Sequence, residues 1–186
     1  RTEKGWECLE ESLALSKTYN MRHLNIQNYL VRGKALLDGG ECSKAEGNFF
    51  RVLTAFSKGG NRWGLCLVLL HIGELHRQSG SFKEASNMIA EARRYAEELD
   101  IHNLKALTLT AEARLKRDEG ADGLLEAEKR LQEALGLAEK CDHPELSYEV
   151  NFEMGETMVR LRRLKEATEY YKIAEERLRE VLENLP

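Results

Sequence analysis

Five small residues, Gly5, Ala45, Ala85, Ala127 and Ala167, stand 40, 40, 42 and 40 positions apart along a chain of 186 residues. A period of this size is the signature of one supersecondary unit stacked on itself. A second ladder keeps step with the first: Gly33, Gly73 and Gly155 each precede their alanine by 12 positions, and Ala113 precedes Ala127 by 14. The two additional residues fall in Asp118-Glu119-Gly120-Ala121-Asp122-Gly123 and are expected to lengthen a turn. Such a stack offers surface rather than an enclosed pocket, so the chain is expected to be a binding module and not an enzyme.

The unit is clearest between Asn61 and Ala85. Leu65, Leu69, Ile72 and His76 recur at steps of three and four, which places them on one side of a helix. Ser79-Gly80-Ser81 breaks that helix, and Ser81-Phe82-Lys83-Glu84 has the form of a capping box for the next. Ala85, Ile89, Ala92 and Ala96 continue the same step, so the unit is a helical hairpin. By this grammar a first helix covers residues 22–38, 61–79, 101–118 and 144–162, and a second covers 42–58, 81–99, 122–140 and 164–184. Residues 1–19 read as a second helix cut from its partner, with Gly5, Leu9, Ser12 and Ser16 in the slots of Ala85, Ile89, Ala92 and Ala96. The expected fold is all-α, a right-handed solenoid of nine helices in a single array. It consists of a half repeat at 1–20 and full repeats at 21–60, 61–100, 101–142 and 143–186.

Close helix crossings exclude side chains that push the axes beyond about 8–10 Å, so Gly33 with Ala45 and Gly73 with Ala85 are expected to mark crossing points. Phe49, Ile89, Leu131 and Tyr171, each four residues after the alanine, are expected to fill the seam to the next unit.

Leu69, Gly73, His76, Gly80, Phe82 and Ala85 resemble the tetratricopeptide repeat, whose pattern is a large apolar residue, a small one, an aromatic, a turn glycine and an alanine. The last repeat matches through Met154, Gly155, Met158, Leu164, Ala167, Tyr171 and Ala174, and the first through Tyr29, Gly33, Leu36, Gly40 and Ala45. The third is degenerate, with Ala113 in the glycine position and Glu112 and Lys116 where apolar residues are usual. That family's period is about 34 residues, so each hairpin here carries about one and a half additional turns. Long-period arrays of this kind resemble those of large bacterial signalling proteins and transcription activators. The segment from Ala174 to Pro186 is similar to the exit helix that joins such arrays to a further domain.

Chemistry-bearing patterns are sparse. His71 and His76 lie five apart, about 140° around a helix, and cannot grip one metal ion from one face as an i, i+4 pair does. His76 occupies a packing slot, while His23, His102 and His143 fall near the starts of first helices. No nucleophile motif or phosphate-cradling glycine loop occurs, so no cofactor or metal is expected. Cys8, Cys42, Cys66 and Cys141 are isolated, which favours reduced thiols and a cytoplasmic setting. A net charge of −4 gives no basic field for nucleic acid, and the longest apolar run, Leu65 to Leu70, is far shorter than the roughly 20 residues of a membrane span. Arg1 stands where an initiator methionine is usual, so the chain reads as part of a longer protein.

The family resemblance implies that first helices line a concave face and that fixed positions on them look inward. Carried over, these are Leu30, Leu70, Thr110 and Phe152 three before the small residue, and Lys34, Glu74, Arg114 and Glu156 one after it. Leu37, Arg77, Arg117 and Val159 follow, beside Asp38, Gln78, Asp118 and Arg160. Arg77, Arg114 and Arg117 are expected either to form a cationic stretch for an acidic peptide or partner helix, or to pair with Glu74, Glu112 and Asp118. Trp63 is expected to pack on the preceding hairpin or to anchor a peptide. Two functions follow from the resemblance: a scaffold that binds a protein or peptide on its concave face, or a sensor segment that regulates an attached enzyme or DNA-binding domain. Self-association is expected through apolar ends, Trp6, Leu9, Leu13 and Leu15 at one and Ile173, Val181, Leu182 and Leu185 at the other.

Overall fold

The computed structural model describes residues 2–141 and 143–184, and of Thr2 the backbone alone. Among them are nine helices and no strand: α1 (Thr2–Thr18), α2 (Arg22–Asp38), α3 (Cys42–Gly59), α4 (Arg62–Gln78), α5 (Phe82–Leu99), α6 (His102–Asp118), α7 (Ala121–Ala138), α8 (Pro144–Arg160) and α9 (Leu164–Glu183). The even-numbered helices are the first helices of the hairpins and the odd-numbered ones the second.

The turns show why the helices stop where they do. A left-handed residue recurs every 20 positions, at Asn20, Gly40, Gly60, Gly80, Asp100 and Gly120, and again at Arg162. After α2, the Glu41 N–H donates to the Leu36 carbonyl at 2.8 Å and the Gly40 N–H to the Leu37 carbonyl at 2.9 Å. The same pair of bonds recurs at Asn20–Met21, Gly60–Asn61, Gly80–Ser81 and Arg162–Arg163, which is the Schellman closure of a helix C-terminus. Asn61 then caps α4, its Oδ1 accepting from the Gly64 N–H at 2.9 Å. Arg162 holds φ of +62° with an exposed side chain. Arg162→Gly removes that Cβ strain and is expected to raise stability by about 0.5–1 kcal/mol, measured by chemical denaturation.

The helices form two compact units, Arg1–Met88 and Ile89–Pro186, with the boundary inside α5. In the first unit α1 packs on α2, α2 on α3 and α3 on α4. In the second α6 packs on α7, α7 on α8 and α8 on α9. First helices also touch one another, α2 with α4 and α6 with α8, whereas among the described residues second helices make no such contact. Each unit is therefore tighter on its first-helix side. The alanines of the ladder are sealed in these seams, with Ala45, Ala85, Ala127 and Ala167 at 2% exposure or less. Gly5, the first rung of the same ladder, is exposed.

Gly33 and Gly155 each lie against a ring of the helix they cross. A Cβ on Gly33 would lie 2.6 Å from Cε1 of Phe49, and one on Gly155 would lie 2.6 Å from Cε1 of Tyr171. In each case the glycine makes room for the aromatic ring sixteen residues later in its own hairpin. Phe49 also reaches onward, its ring stacked at 5.5 Å and 7° on His71 of α4. Phe49 is fully buried whereas Tyr171 is half-buried, so the two rings differ in their freedom to yield. Gly33→Ala is expected to cost about 1–2 kcal/mol net of the improved helix propensity, and Gly155→Ala clearly less, in paired thermal unfolding measurements.

The two additional residues of the third repeat do not lengthen a turn. Only Glu119 and Gly120 separate α6 from α7. Instead α7 begins six residues before its alanine, while α3, α5 and α9 each begin three before theirs. The insertion is absorbed as helix at the start of α7, and Gly123 brings that stretch against the end of α6. A Cβ there would lie 2.0 Å from the Lys116 carbonyl oxygen.

Candidate interaction face

Apolar spacing sets which side of each first helix is sealed, and the register then decides which charged side chains face a neighbour. In the first unit, Leu30 is half-buried and Lys34 exposed on α2, and Leu70, Glu74 and Arg77 are half-buried on α4. Arg77 grips Glu74 with two bonds, Nε to Oε2 at 2.9 Å and Nη2 to Oε1 at 2.8 Å.

In the second unit the expected inward positions of α6 are covered by α8. Thr110 is 1% exposed, its hydroxyl donating to the Ala106 carbonyl at 2.8 Å. Arg114 donates from Nε to Glu153 Oε1 at 2.7 Å and from Nη2 to Glu149 Oε1 at 2.8 Å. Arg117 is 8% exposed. Its Nη1 lies 2.8 Å from Glu153 Oε2 and donates to the Glu153 carbonyl at 3.4 Å. Asp118 pairs with Arg160 at 3.4 Å. The cationic stretch expected from Arg77, Arg114 and Arg117 is thus not offered to a ligand, because a carboxylate takes up each guanidinium. Of the expected internal partners, Glu74 pairs with Arg77, while Glu112 binds Arg93 at 3.1 Å and lies 3.4 Å from Arg130.

Glu149 and Glu153 were not singled out in the sequence, yet the signal was present. They stand six and two before Gly155, whereas Arg114 and Arg117 stand one and four after Ala113. When first helices touch, the trailing side of one helix meets the leading side of the next. Two arginines on one and two glutamates on the other are complementary in that register.

The stripe that stays open belongs to α8. Phe152 and Val159 are 40% and 42% exposed, and Glu156 lies between them. The Phe152 ring sits 6.1 Å from Tyr148 and 5.8 Å from Tyr171, spacings at which aromatic rings attract beyond simple burial. The Tyr171 hydroxyl donates to Glu156 Oε1 at 2.6 Å. Burial, reinforced by the bond to Glu156, pushes that hydroxyl up to about 12. The folded state therefore holds the phenolic proton more tightly than the unfolded chain. Its stabilising effect is complete below the ordinary tyrosine range near 10 and is lost as pH rises from there through about 12. In an ultraviolet titration this late ionisation should disappear in Tyr171→Phe.

Other expected positions resolve as follows. Trp63 is 46% exposed, so its side chain is only partly covered. At one apolar end Leu15 is exposed and Trp6 and Leu9 are half-buried, while Leu13 alone is sealed, at 2%. On α9 Ile173 and Leu182 are exposed at 40% and 58%, Val181 is half-buried, and Leu185 lies outside the described residues. Cys66 is fully buried, and burial pushes its thiol up to about 12. Among the described residues no group of three or more His, Cys, Asp or Glu is placed to hold a metal ion, and no helix is long and apolar enough to cross a membrane. No family model matches the chain, and no curated protein matches it in sequence.

Proposed function

We propose that this chain is a protein-interaction scaffold, built of hairpins that resemble tetratricopeptide repeats, which binds a peptide or a partner protein on the side of its first helices. The observation that carries the reading is the α8 stripe. Phe152 and Val159 hold apolar surface open to solvent between a charged residue and two tyrosines. The ion cluster of Arg114, Arg117, Glu149 and Glu153 fastens α8 to α6 behind that stripe. Apolar anchors on a pre-ordered support lose little conformational entropy on binding, which suits them to recognition. The ligand expected at this stripe is an apolar or aromatic side chain from an extended or helical peptide. An acidic peptide is not proposed, because the arginines that would recognise it are already engaged.

Selection of peptides from a random display library against the intact chain tests this reading. Selected peptides should lose binding to Phe152→Ala and Val159→Asp while keeping it to Lys172→Ala, which alters an exposed ion pair with Glu169 on α9. Peptides indifferent to both α8 changes would refute the site.

A further inference from the structure

The stripes that α6 and α8 turn to each other are polar throughout. On α6 the stripe is Thr110, Arg114 and Arg117, at steps of four and three, and on α8 it is Glu149, Glu153 and Thr157, at steps of four. The same register in the first unit gives Leu30, Lys34 and Leu37 on α2 and Leu67, His71 and Leu75 on α4, with Leu37 and Leu75 sealed at 2% and 5%. A largely apolar seam is therefore compatible with this stacking of hairpins, and the second unit has a charged one in its place.

Each threonine keeps its hydroxyl inside its own helix, Thr110 on the Ala106 carbonyl at 2.8 Å and Thr157 on the Glu153 carbonyl at 2.9 Å. The links across the seam are those of Arg114 and Arg117 to Glu149 and Glu153, with Arg160 reaching back to the Arg117 carbonyl at 3.2 Å and to Asp118. Two atoms within it, Arg117 Nε and Glu153 Oε2, are buried without a hydrogen bond. Parting the two stripes breaks ion pairs but exposes little apolar surface. The threonines keep their bonds, the two unpartnered atoms gain water, and each charge recovers hydration that burial removed. On their other sides α6 and α8 share with α7 a core that includes Leu109, Leu131, Val150 and Met154, and opening that core exposes apolar side chains throughout.

We propose that the α6–α8 seam is a latched joint, along which the two helices part and close while the apolar core they share with α7 stays shut. The arginine–glutamate bonds are the latch. Salt weakens it, because the outer pair of Arg114 with Glu149, at 23% and 35% exposure, is open to screening. The inference concerns the motion of two helices inside the second unit and does not depend on the peptide-binding reading of the α8 stripe.

Thiol accessibility tests it on the whole chain. Thr110→Cys places a thiol of similar size in the seam, and Val150→Cys places one on α8 in the apolar core, at positions 1% and 0% exposed. Each variant is treated with iodoacetamide, an uncharged reagent, and peptide mass spectrometry separates the new thiol from Cys8, Cys42, Cys66 and Cys141. Rates are taken relative to the same thiol in the urea-unfolded chain. Thr110→Cys should react about tenfold or more faster than Val150→Cys, and about threefold faster again in roughly 1 M sodium chloride than in roughly 0.05 M. With Arg117→Met and Glu153→Leu the seam becomes apolar, and the Thr110→Cys rate should fall to that of Val150→Cys and lose its salt dependence. If that refilled seam does not fold, Glu149→Gln decides, since it weakens one bond of Arg114 at a half-buried position and should raise the rate about threefold. Equal rates at the two positions overturn the proposal, because the seam then opens only when the unit unfolds. So does a Thr110→Cys rate that neither salt nor these changes in the latch alter.

Discussion

Gly123→Ala is expected to lower stability by about 3 kcal/mol, seen as a fall of roughly 10 °C in the unfolding midpoint. The added methyl would sit 2.0 Å from the Lys116 carbonyl oxygen and 2.9 Å from its carbonyl carbon. Both atoms are main chain, so no rotamer change relieves the overlap, and the start of α7 must move away from the end of α6. That movement disturbs Ala127 and Leu131, at 0% and 1% exposure, which belong to the core shared by α6, α7 and α8. Gly136 supplies the control. It lies in the same helix with nothing within 4 Å of its missing side chain. Gly136→Ala should therefore stabilise by about 0.5–1 kcal/mol through helix propensity alone. Equal effects from the two changes would mean that the tight approach at Gly123 is not a constraint on the fold.

The same glycine shows where reading the sequence reached its limit. Hairpin spacing and turn positions were legible, because a Schellman closure needs a left-handed residue, and glycine or asparagine marks four of the five that show the paired bonds. The destination of the inserted residues was not legible. A turn enriched in glycine and aspartate looks like a longer loop, yet the chain gains more by extending α7 and packing its backbone on α6. Likewise Gly33 and Ala45 both read as crossing residues. Only the tertiary arrangement shows that Phe49 occupies the space that Gly33 leaves.

For the interaction face, position was legible and exposure was not. Thr110, Arg114, Arg117 and Phe152 all fall on the inward register of first helices, yet the first three are covered or paired while Phe152 stays open. The reason lies in the neighbour. α6 has α8 against its leading side, and among the described residues no first helix lies against that side of α8.

Glu153→Ala is expected to cost about 3 kcal/mol or more, and to be the costliest single change in the ion cluster. Glu153 is the shared partner, with one oxygen on Arg114 Nε and the other beside Arg117 Nη1. Arg117 and Glu153 side chains are each 9% exposed, so removal of the carboxylate leaves a buried guanidinium with only the weak bond from its Nη1 to the main-chain carbonyl of residue 153, and Arg117 Nε already lacks a hydrogen-bond partner. Arg117→Ala should cost less, because Glu153 keeps Arg114. Arg114→Ala should cost less still, because that side chain is 23% exposed and water can replace part of its role. Replacing both members of the buried pair, Arg117→Met with Glu153→Leu, removes two desolvated charges together and should return stability to within about 1 kcal/mol of the original. The double variant also separates support from recognition. If the charges only brace α8 against α6, peptides selected on the α8 stripe will bind the refilled seam as well as before, while Phe152→Ala abolishes binding at a cost to stability of about 1 kcal/mol from its lost ring contacts. Loss of binding in the double variant at full stability would instead make the buried charges part of the recognition surface.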